Sequence, residues 1–374
     1  MSPEYCSATM PCRPYRFRAY CPLSEDFLEL IRVRRQAYTD NPASVLNNDG
    51  YWYFLTEDKL AAKLFAREED IAMPKLYFCS TDTGELLSWV PSSDADSTGF
   101  VVKPLGLHSN AGVFILPNGF GNLELLSGTV IDRNDIQFKF QQLGVERYIV
   151  EEYIPGPAAN TNPDEFKIHI FPDGTVGSIT YITNRGNSCG CFIEVDQNWE
   201  RLDEHGCYRS ERKADTMNDG ECTRIDFRGR QLVQTKGLEM CGETPPAPAR
   251  LNEILNMART VVQRVGVYIR VDVLYDSVQD RILVGEFTPG HSNGSVHCSA
   301  KIDANGCVDP CFLGRMWGGA AAATVGNGSN AATTGLHGGG ITPIPSALSM
   351  WDDANWAQMC TDFLTSAVQR QRRG

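Results

Sequence analysis

The stretch that most constrains the fold is residues 268–294, YIRVDVLYDSVQDRILVGEFTPGHSNG, which has the pattern of two strands joined by a polar turn. In the first strand polar residues alternate with apolar ones, so period-two geometry places Arg270 and Asp272 on one face of the sheet. In the second strand, Glu286 and Thr288 share a face. If the strands pair antiparallel, an aspartate and a glutamate from neighbouring strands point into one volume, beside an arginine.

Two carboxylates and a guanidinium at the end of a buried hairpin are costly in a core, because buried charges must be compensated. The same groups suit a magnesium ion that holds phosphates: hard oxygen ligands match Mg2+, and arginine binds phosphate in a forked geometry. The alternative is a surface hairpin with a cross-strand ion pair. The hairpin alone leaves both interpretations open.

The composition is that of a large acidic protein of enzyme size. The chain has 374 residues, of which 42% are hydrophobic and 21% charged, and its formal net charge is -12. Such a chain can bury a large core and is not disordered. The acidic balance argues against non-specific nucleic-acid binding, which needs clustered lysine and arginine. We expect neither nucleic acid nor membrane as a partner.

Neither a membrane span nor a secretion signal is indicated, because the sequence has no run of about 18 apolar residues and no apolar core near its start. The expected compartment is the cytoplasm. The thirteen cysteines are odd in number and scattered, which suits free thiols better than a disulfide framework. Cys189 with Cys191, and Cys307 with Cys311, come closest to metal-binding spacing. Neither is a CxxC pair, so buried thiols are favoured over a zinc site.

The order of the patterns predicts five segments. They are an N-terminal lobe (1–75), a small β-rich lobe (76–154), a larger lobe with the metal site (155–317), a flexible Gly/Ala-rich segment (318–345) and a C-terminal helix (346–374). The elements predicted within them are a helix over 57–70 capped by Thr56, strands at 75–79, 99–103, 112–116 and 147–154, a hairpin at 165–171 and 175–182, and a helix over 251–265.

A strand that carries a lysine and leads into a small-residue loop is typical of a phosphate cover. Lys103 lies near the end of FVVKP (100–104), and the following GLHSNAGV contains His108 and Ser109. Backbone N–H groups of such a loop can approach a phosphate while the lysine supplies charge. Lys59, near a helix start, is a second candidate, because helix N-termini bind phosphate. The alternative is a hairpin loop with solvated lysines.

Residues 148–156, YIVEEYIPG, form an apolar strand that turns acidic just before a break. An edge strand of this kind can hydrogen-bond a purine ring through its backbone and a carboxylate such as Glu151. A strand that runs out into solvent is the alternative.

Three further polar residues are candidates for contact with reacting groups. Lys167 lies on the polar face of its strand, where it either reaches a transferring phosphate or balances Glu165. His291 and Asn293 follow Glu286 in a turn and are candidates for substrate contact. The GxSxG, HExxH and GxxxxGK[ST] motifs are absent, which disfavours serine hydrolysis, zinc proteolysis and P-loop chemistry.

Taken in order, these motifs resemble the ATP-grasp superfamily over about residues 56 to 294. The resemblance is closest to the TupA-like branch, named for teichuronopeptide biosynthesis. The features that carry it are Asp58-Lys59 at a helix start, FVVKP with its loop, the hinge strand 150–154, the DEFK segment at 164–167, Arg270-Val271-Asp272, and GEFTPG at 285–290.

The resemblance implies an α+β (α/β) ATP-grasp fold, in which the nucleotide lies between a small β-rich lobe and a larger antiparallel-sheet lobe. It also implies ATP and Mg2+ as cofactors. The implied roles are phosphate contact for Lys59, Lys103 and the loop with His108 and Ser109; adenine contact for Glu151, Glu152 and Ile154; contact with the transferring phosphate for Arg270 and Lys167; and Mg2+ coordination for Asp272, Glu286 and Thr288.

The chain departs from the family pattern at three places. The small-residue loop carries Leu107 and His108 with an apparent insertion. Thr288 stands where many ATP-grasp ligases have asparagine, and Ala158 or Ala159 stands where a ribose-binding acid is common, which leaves Asp164 or Glu165 as the nearest acids.

Three functions follow as hypotheses. The leading one is an ATP-dependent carboxylate-amine ligase that works through an acyl phosphate. The second is a kinase on the same scaffold, acting on a hydroxyl of a sugar or inositol phosphate. The third is a non-catalytic ATP-binding module.

Overall fold

The structure is a computed structural model that describes residues 27–40, 58–107, 110–157, 160–183, 191–202, 223–225, 231–234, 239–240, 244–288, 313–317 and 353–371. The main helices are α1 (Phe27–Asp40), α2 (Lys59–Glu68), α3 (Glu85–Ser88), α4 (Ser93–Thr98), α5 (Arg133–Leu143), α6 (Leu251–Val265) and α7 (Asp353–Gln371). The strands are β1 (Leu76–Ser80), β2 (Phe100–Pro104), β3 (Phe114–Leu116), β4 (Asn122–Leu123), β5 (Val130–Ile131), β6 (Tyr148–Glu152), β7 (Asp164–Ile170), β8 (Val176–Thr183), β9 (Cys191–Val195), β10 (Thr223–Ile225), β11 (Gln231–Gln234), β12 (Glu239–Met240), β13 (Ile269–Asp276) and β14 (Arg281–Thr288).

The first sheet has the strand order β1-β6-β2-β3, and each neighbouring pair is antiparallel. One of its faces is apolar, with Phe100 and Val150 packed against Ile136 and Phe140 of α5. This alternation is what period-two strands produce when one face is covered by a helix. The opposite face is therefore available for the polar residues of the same strands.

The second sheet has the order β12-β9-β8-β7-β13-β14 and is antiparallel except for the parallel pair of β12 and β9. Its apolar face packs on α6, where Ile168 and Val271 meet Ile254 and Val262. Apolar residues recur along α6 at intervals of three and four, so they form one stripe that the sheet covers. The other face of this sheet carries the polar residues.

Helix α2 packs between the two sheets. Its Leu60 belongs to the cluster with Leu76 and Ile149 of the first sheet, whereas its Ala62 and Phe65 pack in the core of the second. The chain segment between β6 and β7 provides the covalent connection between the sheets. The polar side chains of α2 consequently lie at the seam where the sheets meet.

The C-terminal helix α7 docks against β1 and α2, as expected from its apolar stripe. Trp356 is fully buried, and Cys360 forms a disulfide with Cys79 of β1 over a sequence separation of 281 residues. The prediction of free thiols is wrong for this pair. The scattered spacing could not indicate it, because only the docking of α7 brings these two cysteines together.

The mixed α/β architecture with antiparallel sheets is confirmed, as are the hairpin of β13 and β14 and the helix over 251–265. The helix predicted over 57–70 is shorter: its N-cap is Asp58, which accepts hydrogen bonds from Leu60 N and Ala61 N, and Thr56 lies outside the described residues. Helix α5, which begins with a capping box formed by Asp132 and Asp135, was not predicted. Among the described helices, none has the length and apolar character that crossing a bilayer requires.

Candidate functional site

A cleft lies at the seam between the two sheets. Helix α2, strands β2, β6 and β14, and the turn before β1 supply its lining, which consists of Lys59, Ala62, Lys63, Met73, Lys103, Glu151, Gly285, Glu286 and Phe287. Three of these residues are lysines, brought together from α2 and β2. A concave site with converging lysines is suited to a polyanionic ligand such as a phosphate chain.

Glu151 lies between two lysines of the cleft lining. Its Oε2 is 2.7 Å from Lys63 Nζ, its Oε1 contacts Lys103 Nζ, and its side chain is 3% exposed. Burial alone would raise the pKa of Glu151, but Lys103 and Lys63 together hold it below its ordinary value. Burial lowers the pKa of Lys63, which also donates a hydrogen bond to Pro74 O at 2.6 Å. The triad is a preformed, compensated charge cluster.

Lys59 begins α2 at the open side of the cleft. Its Nζ lies 3.8 Å from Glu286 Oε1, and the two side chains are 17% and 43% exposed. An ion pair with this separation and exposure contributes little to stability. Breaking this ion pair therefore costs little free energy, so Lys59 and Glu286 can each bind a ligand instead.

Asp272 is the most heavily engaged carboxylate of the site. Arg270 donates from Nε to Oδ1 at 2.5 Å and from Nη2 to Oδ2 at 2.7 Å, and Lys167 Nζ donates to Oδ2 at 2.5 Å. Burial would raise the pKa of Asp272, but Arg270 and Lys167 hold it well below its usual range. Lys167 also contacts Glu165 Oε1 at 2.5 Å, as the alternative in which it balances Glu165 predicts, and its contact with a transferring phosphate stays a prediction.

The strand register aligns these groups in one row across the second sheet. From β14 to β9, the row consists of Glu286, Asp272, Lys167, Thr180 and Glu194. Directly opposite residues of antiparallel strands share a face, so Asp272 and Glu286 point to the same side. The register between β13 and β14 shifts at a bulge: Asp272 lies opposite Glu286, whereas Val273 lies opposite Val284.

The oxygen donors on this face suit Mg2+. Asp272 and Glu286 supply carboxylates from neighbouring strands, and the hydroxyl of Thr288 accepts a hydrogen bond from Arg270 Nη2 at 3.0 Å beside them. Mg2+ is usually held by one or two carboxylates together with substrate phosphates rather than by a complete protein cage. Within the described residues, no group of three or more acidic, His or Cys side chains forms such a cage.

Not every predicted residue lies in the cleft. Glu152 instead accepts hydrogen bonds from Arg281 Nη2 at 2.8 Å and from Lys75 N at 3.1 Å, which ties β6 to β14 outside the cleft lining. Ile154 is buried in the segment between the two sheets. Lys167, Arg270, Asp272 and Thr288 lie on the polar face of the second sheet and are not part of the cleft lining, which reaches this face at Glu286. His108, Ser109, His291 and Asn293 lie outside the described residues.

Three groups on or near the polar face were missed by sequence reasoning. Lys63 follows Lys59 by four residues on a helix, a spacing that places both on one face and could have indicated it. Glu194, which accepts a hydrogen bond from Thr180 Oγ1 at 2.6 Å, gave no signal because β9 was not predicted. His169, paired through Nδ1 with Tyr268 OH at 2.6 Å, gave none either.

Comparison with known proteins gives matches at the level of structure. No protein-family model and no curated protein sequence matches the chain. Similar solved structures include a D-alanine–D-alanine ligase from Bacillus anthracis, with a TM-score of 0.42 and 19% identity over 73% of this chain and 70% of that one. A D-alanine–D-alanine ligase from Coxiella burnetii has a TM-score of 0.40 and 12% identity over 73% and 59% of the two chains. The ATP-grasp ligase PsnB, complexed with a minimal precursor, has a TM-score of 0.34 and 12% identity over 73% and 61%.

Proposed function

We propose that this protein is an ATP-dependent carboxylate-amine ligase of the ATP-grasp kind. The observation that carries the proposal is the seam between the two sheets, where the lysines of α2 and β2 line the cleft together with Glu286, whose cross-strand neighbour is Asp272. Phosphates of one triphosphate can reach cations from one sheet and metal-binding oxygens from the other. The proposal gives each charged group at the seam a partner in the bound state.

The reaction proceeds in two steps. A carboxylate oxygen of the acid substrate attacks the γ-phosphorus of ATP, the bond from that phosphorus to the bridging oxygen breaks, and ADP leaves. The amine nitrogen then attacks the acyl carbon, inorganic phosphate leaves, and the amine loses a proton. Lys59 and Lys103 bind the phosphate chain, and Arg270 with Lys167 stabilises charge on the transferring phosphoryl group. Catalysis is therefore mainly positioning and electrostatic stabilisation.

Asp272 and Glu286, with Thr288 beside them, would hold Mg2+, which would supply positive charge to offset the phosphate oxygens. The residues of this chain fix where that charge lies. Because Asp272 already binds Arg270 and Lys167, the carboxylate is kept ionised and oriented before any ligand arrives. Pre-orientation of this kind lowers the reorganisation needed at the moment of phosphoryl transfer.

The adenine is placed beside β6 and the segment that follows it. Glu151 and the backbone at Ile154 are its proposed contacts, and Glu152 supports this region through Arg281 of the opposite sheet. In this arrangement Glu151 has two functions, since it also compensates Lys63 and Lys103.

The finer assignments are parts of the same proposal. On the sequence evidence, the proposal includes membership of the TupA-like branch, a cytoplasmic location, small-molecule acid and amine substrates, and contact of His291 and Asn293 with substrate. The division into a small lobe (76–154) and a larger lobe (155–317) belongs with them.

The test is ADP formation by purified protein with ATP, Mg2+ and a pool of amino acids and other amines and acids. We expect wild-type protein to release ADP at least tenfold faster than Asp272→Asn, whereas Asp280→Asn, an exposed residue of the β13–β14 turn, keeps the wild-type rate. Mass spectrometry of the products separates a condensed amide from a phosphorylated acceptor. Equal rates for wild type and Asp272→Asn would contradict the proposal, and a phosphorylated acceptor would replace the ligase with a kinase.

A further inference from the structure

Helix α7 makes a specific polar contact with the start of α2. Trp356 is fully buried among Leu60, Leu76 and Ile149, and its Nε1 donates a hydrogen bond to Asp58 Oδ2 at 3.0 Å. A buried indole N–H usually has a partner. Here the partner is the residue immediately before Lys59, so α7 reaches the first turn of the helix that lines the cleft.

Asp58 connects this contact to the geometry of α2. Its Oδ1 accepts hydrogen bonds from Leu60 N at 2.8 Å and from Ala61 N at 3.1 Å, so it is the N-cap of the helix. The side chain is 2% exposed, and burial raises its pKa. A buried carboxylate needs all its hydrogen bonds. The helix backbone donates to Oδ1, and Trp356 donates to Oδ2.

Two further contacts fasten α7 in this position. Cys360 lies one turn after Trp356, on the same face of the helix, and is joined by the disulfide to Cys79 of β1. At the start of α7, Arg147 Nη2 is 2.7 Å from Asp353 Oδ1, and its guanidinium lies 5.9 Å from the Trp356 ring centroid. Trp356 is thus held from both sides.

We propose that Trp356 is a positioning residue for the cleft and that the Cys79–Cys360 disulfide is a reversible fastener that keeps it in place. Through Asp58, Trp356 fixes the first turn of α2 and hence the approach of Lys59 to the phosphate chain. The identity of the ligand as ATP rests on the proposed function. The coupling between α7 and α2 is independent of the identity of the ligand.

Opening the fastener is a thiol–disulfide exchange. A dithiol reductant attacks one sulfur, the S–S bond breaks, and the reductant's second thiol displaces the mixed disulfide. Cys79 and Cys360 gain two electrons and two protons, and the reductant becomes a disulfide. Disulfides in reducing compartments are mostly transient or redox-sensing. Both cysteines are 5% exposed, so reduction is slow unless α7 lifts from β1.

The experiment uses the full-length protein and measures the Kd for ATP by calorimetry, together with hydrogen exchange of the Leu60 and Ala61 amides. Trp356→Phe keeps an aromatic ring but removes the donor, and Gln358→Ala, exposed on the same helix, is the matched control. We expect Trp356→Phe and dithiol-reduced wild type to bind ATP about fivefold or more weakly. Both should show faster exchange at these two amides, and Gln358→Ala should match the oxidised wild type.

A conservative substitution at Asp58 distinguishes a positioning role from a purely stabilising one. Asp58→Asn keeps an acceptor oxygen and should retain more ATP affinity than Asp58→Ala at matched thermal stability. The inference is overturned if Trp356→Phe lowers Tm but leaves both the Kd and the two amides unchanged. The fastener is overturned if Cys79 and Cys360 react with an alkylating agent in the unreduced, denatured protein. If oxidised wild type does not bind ATP, the proposed function fails, and the exchange data still decide the coupling.

Discussion

The charge triad of Glu151, Lys63 and Lys103 gives the sharpest quantitative prediction. Glu151→Gln keeps the size of the side chain but removes the anion that lies 2.7 Å from Lys63 Nζ and contacts Lys103. Two ammonium groups then remain side by side in the cleft without the carboxylate that contacts both of them. We expect a large loss in the free energy of unfolding, because removing one partner of a buried ion pair typically costs about 3 to 5 kcal/mol.

Lys63, whose side chain is 3% exposed, sets an upper bound on the loss in the free energy of unfolding. A buried lysine can avoid the unpaired charge by losing its proton, at about 1.36 kcal/mol per pH unit below its ordinary pKa of about 10.4. At pH 7 this escape costs about 4.6 kcal/mol. Lys103, with 19% of its side chain exposed, can partly reach water and adds less. The expected loss at pH 7 is therefore about 4 kcal/mol.

The same reasoning fixes the pH dependence. In Glu151→Gln the folded pKa of Lys63 lies below its unfolded value, so the unfolded chain binds more protons and the variant gains stability as pH rises. At pH 9 the escape costs about 1.9 kcal/mol, so the loss relative to wild type falls to about 2 kcal/mol. In the wild type the pKa of Glu151 is lowered, so its contribution is present above about pH 4.3 and is lost as pH falls through the folded pKa.

Urea unfolding at pH 5, 7 and 9 measures these differences. Glu253→Gln is the control, because that glutamate pairs with Arg250 on the surface and its loss should leave the free energy of unfolding unchanged within error. The reasoning is refuted if Glu151→Gln stays within about 1 kcal/mol of wild type at pH 7, or if its loss is the same at pH 7 and pH 9.

Two further predictions concern Lys59 in the cleft and the glycines on either side of β2. Lys59→Ala should weaken ATP binding about fivefold to thirtyfold in calorimetry through the loss of one phosphate contact, while Lys139→Ala on α5, outside the cleft lining, should leave the Kd unchanged; equal effects would exclude a specific role. Gly99→Ala should lower the free energy of unfolding by about 3 kcal/mol or more, because φ is +75° and an added Cβ would overlap the Pro117 carbonyl. Gly106→Ala, at φ +72° with open space around it, should cost about 1 kcal/mol; urea unfolding measures both variants, and similar losses at both sites would contradict the argument.

Sequence periodicity was sufficient to predict the polar face of the second sheet. Alternation placed Arg270 and Asp272 together, and a short turn made antiparallel pairing with the strand of Glu286 the natural arrangement. The fold class and the helix over 251–265 followed from the same local signals. These features depend on residues near one another in the chain.

The features that were missed depend on tertiary packing. Glu151 pairs with Lys63 only because α2 lies between the two sheets, and Asp58 meets Trp356 across a separation of 298 residues. The cap at Asp58 was displaced from the predicted Thr56 because either residue can cap a helix, and the docking partner decides between them. No local pattern encodes such choices.

The row of charges across the second sheet also constrains how the chain can assemble. Lys167 and Asp272 are 105 residues apart in sequence, yet their strands are adjacent and the two residues face each other. If β13 slipped by one residue against β7, Asp272 would turn into the apolar layer and Lys167 would lose that carboxylate while keeping its contact with Glu165. Each misplaced charge would cost several kcal/mol, comparable to the whole stability of a domain. The groups assigned to phosphate chemistry thereby also exclude misaligned sheets during folding.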